Sequence, residues 1–293
     1  MRVLILNSVN IVPNSNNSKF TYTFPQMMTF SKTDQIAVSS INIFYSWFNV
    51  NAALYNNNTF QYVWFDINGT LNTTYTITIQ DGNYTIETLN EYMQSILVSR
   101  GHYLVQTSSG KYVYHIEFVA NPTFYSAQLN IYYMMSLASS AGYTRGLNTW
   151  QLPIVNTCPQ VIINSTNNFY NLIGFKAGSY PNTVASTFQT FLSTSTPQLA
   201  PVSSIVMTCS LCQQSIAVPD NLLYCFSSSG VAFGDSINVQ PSALSFVNCR
   251  EGTFKSVELQ LLDQNLSTIQ IKDTQCIIML TLRSIEDDGK YGL

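Results

Sequence analysis

The chain of 293 residues carries only 12 Lys and Arg against 15 Asp and Glu, a net charge of −3, whereas 89 of its residues are Ser, Thr or Asn. Basic residues so few and scattered leave no electrostatic footprint for a phosphate backbone, so direct nucleic-acid binding is not expected. A hydrophobic content of 46%, with 18 Tyr, 17 Phe and 3 Trp, supplies a sizeable interior and excludes global disorder.

At the N-terminus the apolar run Val3 to Leu6 has four residues and no small-residue cleavage site behind it, so it does not read as a signal peptide. No stretch approaches the roughly 20 apolar residues of a membrane-spanning helix. A soluble protein, not exported by that route, is expected. Period-2 alternation then dominates. In Ser18 to Phe24 the rings of Phe20, Tyr22 and Phe24 share one face. Gln35 to Val50 places Ile36 and Val38 in one phase and Ile41, Ile43, Tyr45 and Trp47 in the other, and the break at Ser39-Ser40 predicts a bulge or a switch of face. Further strands are expected at Thr59 to Phe65, Thr73 to Ile79, Lys111 to Phe118, Gln128 to Met135, Val161 to Asn164, Val202 to Ser210, Leu222 to Phe226, Ala243 to Val247, Lys255 to Leu262 and Gln275 to Leu282. Turn residues such as Asn68-Gly69 and Asp263 to Asn265 punctuate them at the spacing of a sandwich or barrel.

One helix stands against this background, Thr85 to Arg100, with Ile86, Leu89, Met93, Ile96 and Leu97 at helical spacing. Thr85 is its N-cap, Tyr84 is placed to staple onto Leu89, and Gly101 is its stop. A second, short helix is expected from Asn168 to Ile173, ended by Gly174. The continuous apolar run Cys276 to Leu282 reads as a central strand covered on both faces, and the polar tail after Arg283 as mobile or reaching a neighbour.

Chemistry-bearing patterns are sparse. His102 and His115 are the only histidines, too few for a cupin-type metal site, and read as structural or surface side chains. Cys209-Ser-Leu-Cys212 matches C-x-x-C but ends a strand, where positions i and i+3 project to opposite faces. Unless the chain turns sharply at Ser210 the sulfurs do not converge, and no second ligand pair follows. Asp66-Ile-Asn68-Gly69 resembles the opening of a calcium loop, yet Ile77 stands where a bidentate Glu belongs, and a β-turn explains the same residues. No nucleophile elbow or phosphate loop is present. The six cysteines, without the spacing of a disulfide scaffold, read as reduced and mostly buried. Seven N-x-S/T sequons match what this composition produces by chance and do not signal secretion. No catalytic, cofactor-binding or metal residue is nominated, and an enzyme is not expected.

The surface chemistry is more telling. Neutral hydrogen-bonding groups and amphipathic rings cost less to bury than ions, which suits permanent assembly. An AT-rich coding sequence would enrich Asn, Ile, Tyr and Phe as well.

Three segments carry a resemblance: YTITIQDGNYTIETLNEYMQSIL from Tyr75 to Leu97, FYNLIGFKAGSYP from Phe169 to Pro181, and the stretch from Pro201 through LLYCF to Arg283. In that order they are similar to the single jelly-roll penton or minor capsid proteins of virophages and related polinton-like double-stranded DNA viruses, and they cover about half the chain. Gln80 departs from the pattern by standing where a proline-like turn opener belongs. The resemblance implies an eight-stranded jelly roll at the five-fold vertices of an icosahedral capsid. It further implies a homopentamer among trimers of a double jelly-roll major capsid protein, in a virion made in the host cytoplasm. It carries over no catalytic residues, cofactor or metal.

The expected fold is therefore all-β: a single jelly-roll sandwich with an inserted β-rich subdomain carrying one α-helix. A double roll would need more chain. Residues 1–68 and 195–293 would form the roll, and residues 69–194, with the helix at 85–100, the insertion. Alternatively, the helix is an ordinary interstrand element of one enlarged roll. Two competing functions are a lectin-like or host-attachment module that stacks Tyr and Trp on host glycans, and a glycan hydrolase, for which the 15 acidic residues offer no evident pair.

Overall fold

The computed structural model describes residues 1–147 and 149–285. The chain divides into two units, Met1–Trp47 with Val202–Leu293, and Phe48–Pro201. The first opens with β1 (Arg2–Asn7), β2 (Lys19–Phe30) and β3 (Asp34–Phe44). The second holds α1 (Ala52–Tyr55), β4 (Thr59–Phe65), β5 (Leu71–Thr78), α2 (Ile86–Arg100), β6 (Leu104–Gln106), β7 (Tyr112–Val113), β8 (Ile116–Asn121) and β9 (Ser126–Ile131). It continues with β10 (Tyr143–Arg145), β11 (Gln160–Ile163), α3 (Phe169–Ile173), β12 (Gly178–Tyr180) and β13 (Gln189–Leu192). The chain then returns to the first unit with β14 (Ile205–Cys209), β15 (Leu222–Phe226), β16 (Ser236–Val239), β17 (Val247–Asn248), β18 (Gly252–Leu262) and β19 (Cys276–Ser284).

The first unit is two antiparallel sheets, β1-β19-β3-β16, with β17 also on β3, and β15-β14-β18-β2. Apart from the two-residue β17, eight strands remain among the described residues, and their pairing has one rule: first with eighth, second with seventh, third with sixth, fourth with fifth. That is a long antiparallel ribbon rolled on itself, the single jelly roll. Its interior is filled by the alternate residues of both sheets, Ile36, Val38, Ile41 and Ile43 from β3 and Val257, Leu259 and Leu261 from β18 among them.

The phase change in β3 is resolved by a bulge. Met279 of β19 faces Ser40 and Leu280 faces Val38, so Ser39 is extra, and its Oγ donates to the Met279 carbonyl at 3.0 Å. One inserted residue turns both apolar phases of β3 to the core. β19 is central, between β1 and β3, but it is not covered on both faces: Ile278, Leu280 and Leu282 are buried while Ile277 is exposed. Of Ala243 to Val247 only Val247 enters a strand, and Lys111 to Phe118 splits into β7 and β8. The tail beyond Ile285 lies outside the described residues.

In the second unit the sheets are β12-β11-β4-β5, β13-β9-β8 and β10-β6-β7. Helix α2 buries Ile86, Leu89, Met93 and Leu97. Its capping box is reciprocal, Thr88 N donating to Thr85 Oγ1 at 3.2 Å and Thr85 N to Thr88 Oγ1 at 2.9 Å, and Gly101 closes it at φ 75°. The ring of Tyr84 meets Tyr92 edge-on at 6.0 Å. The seams lie at 47/48 and 201/202, not at 68/69 and 194/195, because β4 pairs with β5 and β11. Buried Asn49 ties the two ends of the unit: its Nδ2 donates to the carbonyls of Tyr84 (2.7 Å) and Leu199 (2.9 Å), and its Oδ1 accepts from Tyr84 N.

Candidate functional site

β1 is the edge of its sheet. Leu4 and Leu6 point into the core, which leaves Val3 and Ile5 outward at 58% and 50% exposure. The register with β19 sets Ile5 opposite Met279 and Asn7 opposite Ile277. Residues directly opposite across an antiparallel pair share a face, so Val3, Ile5, Met279 and the half-exposed Ile277 form one apolar stripe. Next to it on β3 stand Ser40 and Asn42, and Asn42 Nδ2 donates to Asn238 Oδ1 of β16 at 2.5 Å. Ile5, Met279, Ile277 and their amide border carry no ionisable side chain; beyond Val3 the same face of β19 continues through the buried Thr281 to Arg283. The stripe can bind by burial without desolvating a charge.

The residues that the sequence singles out for chemistry are placed otherwise. His102 Nδ1 lies 2.7 Å from the Tyr62 hydroxyl, and its ring stacks on Trp64 at 4.5 Å. Burial, aided by the Arg100 guanidinium, lowers its pKa to about 4. His115 is buried with Nδ1 3.3 Å from the Tyr132 carbonyl oxygen, and burial outweighs its backbone hydrogen bonds to hold it at about 4 as well. Both are neutral core side chains at pH 7. Asp66 is consumed by its own turn, Oδ1 accepting from the amides of Asn68 (2.8 Å) and Thr70 (3.0 Å).

The C-x-x-C segment differs from the geometry of a continuing strand. Ser210 N donates to the Glu258 carbonyl at 2.9 Å, and the chain then turns so that Cys212 N reaches the Cys209 carbonyl at 3.0 Å. The turn brings the two thiols close enough to perturb each other's ionisation, lowering Cys209 and raising Cys212. Even so, among the described residues no group of three His, Cys, Asp or Glu is arranged to hold a metal ion, and no helix is long and apolar enough to cross a membrane. All three tryptophans are buried, so exposed rings for stacking are Tyr and Phe, including Tyr112, Phe124, Tyr125, Tyr132 and Phe188.

These features define a jelly-roll protein with a second β-rich unit threaded between its third and fourth strands and an apolar stripe at one sheet edge. No family model matches the chain, and no curated protein matches it. Solved structures similar to it include two of virophage proteins. The crystal structure of the SeMet-labeled mavirus penton protein is 11% identical, with 97% of this chain and 99% of that chain covered and a TM-score of 0.47. The cryo-EM structure of the Sputnik virophage is 12% identical, with 99% and 98% covered and a TM-score of 0.39.

Proposed function

We propose that this protein is a structural capsid subunit, the pentameric vertex or penton protein of an icosahedral double-stranded DNA virus. The observation that carries the reading is the stripe of Val3, Ile5, Ile277 and Met279 on the edge of a single jelly roll, an exposed apolar surface suited to being covered. The resemblance of Tyr75 to Leu97, Phe169 to Pro181 and Pro201 to Arg283 to penton proteins points the same way. The mechanism is geometric: side-to-side heterologous contacts close a ring at five subunits, and outer contacts engage a double jelly-roll major capsid protein. Ring closure also covers sheet edges that would otherwise pair with other chains. The protein then resides at the capsid vertex after synthesis in the host cytoplasm, and it performs no catalysis.

Native mass measurement on the purified chain, alone and mixed with a major capsid protein, tests this. A five-subunit species supports it. A chain that stays monomeric at high concentration and never co-assembles overturns it. A host-attachment role for the 48–201 unit is a second reading, favoured by its exposed Tyr112, Phe124, Tyr125, Tyr132 and Phe188. A glycan array without hits removes it.

A further inference from the structure

The turn after β14 gathers three buried thiols, Cys209, Cys212 and Cys249, at one end of the roll. Cys212 and Cys249 face each other in an isolated antiparallel bridge. The bridge is flanked by Gln213 N donating to the Asn248 carbonyl (3.1 Å) and Arg250 N donating to the Leu211 carbonyl (2.6 Å). That pattern makes 212 and 249 a non-hydrogen-bonded pair. In such pairs the Cα atoms lie about 4.5 Å apart with both side chains on one face, inside the roughly 4.4–6.8 Å that a disulfide spans.

We propose that Cys212 and Cys249 are a modification site, a dithiol that a low-molecular-weight disulfide such as oxidised glutathione converts into an intramolecular disulfide. Cys249 is the entry point, because it lines a cleft of about 550 Å³ together with Lys32, Gln213, Gln214 and Asn248. Its thiolate attacks one sulfur of the reagent, forming a mixed disulfide and releasing one glutathione thiolate. Cys212 then gives up its proton and attacks the Cys249 sulfur, the protein disulfide forms, and the second glutathione leaves. Two thiol protons and two electrons pass from the protein to the reagent, which departs as two thiols. The product staples the segment after β14, in one sheet, to the segment after β17, whose strand belongs to the other.

Burial, with Cys209 and Asp34 nearby, holds the Cys249 thiol at about 12, so the exchange is slow at neutral pH and quickens as pH rises. Cys209, whose proximity raises the Cys212 thiol while its own is lowered, is the competing partner.

The test incubates the full chain with oxidised glutathione from pH 7 to 9, quenches by alkylation, and reads intact mass and non-reducing peptide maps. The expected result is loss of two hydrogens per chain and one cross-link between the peptides holding Cys212 and Cys249. The rate should rise about tenfold per pH unit with the thiolate fraction. The oxidised chain should show a folded-to-unfolded ratio on the order of a hundredfold higher, because the bridge closes a long loop of the unfolded state. Cys249→Ala should lose the cross-link, whereas Cys209→Ala and Cys225→Ser keep it. Six alkylatable thiols after prolonged exposure, a cross-link from Cys209 to Cys212, or a glutathione adduct that persists on Cys249 each overturn the proposal. The map of the unaltered chain decides by itself if a variant does not fold.

Discussion

Asp66 and Asp263, in different units of the chain, close their turns in the same way. Each Oδ1 accepts from the amides two and four residues on: Asn68 (2.8 Å) and Thr70 (3.0 Å) for Asp66, Asn265 (2.8 Å) and Ser267 (2.8 Å) for Asp263. Each Asp N–H donates to the carbonyl of the fifth residue at 2.9 Å. The fourth residue is left-handed in both, Gly69 at φ 77° and Leu266 at φ 62°.

One turn thus has the residue suited to its backbone and the other does not. The left-handed region costs a residue with a Cβ about 1–2 kcal/mol, and glycine returns about 0.5–1 kcal/mol of that through the flexibility of the unfolded chain. Leu266→Gly should therefore stabilise by up to about 1 kcal/mol. Gly69→Leu should destabilise by about 2 kcal/mol or more, since its Cβ would also meet Val155 Cγ2 at 2.7 Å. Urea unfolding, with a shifted midpoint at constant slope, reads both changes.

Gly174 allows no such exchange. It ends α3 at φ 74°, and an added Cβ would lie 2.1 Å from the Ser195 carbonyl oxygen, a backbone atom held by the Ser195 N–H to Gly174 carbonyl bond at 3.0 Å. Strain and clash both act, so Gly174→Ala should cost about 2–4 kcal/mol. Chemical denaturation monitored by tryptophan fluorescence would show it, because Trp64 and Trp150 both belong to that unit's core.

What the sequence reveals and what it hides follow from how far apart the determining residues are. The bulge at Ser39 is legible because the apolar phase of β3 flips within six residues, and α2 is legible because its cap, face and stop are all local. Strands such as β6 and β10 span three residues each and exist through their pairing, Tyr143 with Gln106 and Arg145 with Leu104, which no local periodicity signals. β1 is six residues long, and its alternation was hidden inside an apolar run that reads first as a question about export. The Cys209 to Cys212 turn depends on Ser210, whose Oγ accepts from Glu258 N at 2.9 Å from 48 residues away. The apolar stripe likewise requires the β1–β19 register, which joins the two ends of the chain.

Acid should weaken the fold through its histidines. In the unfolded chain His102 and His115 bind protons below about pH 6.5, but in the folded chain only near 4. Between those limits the unfolded state holds more protons, so stability falls as pH falls, is complete above about 6.5, and has no further histidine slope below about 4. Near pH 5.5 the two together should give a slope of roughly 2 kcal/mol per pH unit. Replacing His102 by Gln should remove about half of it in denaturant titrations. A slope that is unchanged would mean that His102 charges freely in the folded state.

The stripe on β1 separates folding from assembly. Val3 and Ile5 are half or more exposed in the single chain, and substitutions at such positions usually change stability by less than about 0.5 kcal/mol. In a closed ring the same side chains would be covered, and a carboxylate at position 5 would lose its water without gaining a partner, because its neighbours Met279, Ile277 and Ser40 are uncharged and Arg283 lies farther along the same face of β19, beyond Thr281 and toward position 3. A buried, unpaired charge costs several kcal/mol. The double variant Val3→Glu with Ile5→Glu should therefore keep the parent's denaturation midpoint within error while its association constant falls at least about a hundredfold in sedimentation equilibrium. If the variant unfolds, Leu4 and Leu6 have been displaced and the experiment has probed the core, so circular dichroism must accompany it. If the variant folds and assembles as the parent does, the stripe is not the contact surface, and the vertex reading loses the observation on which it rests.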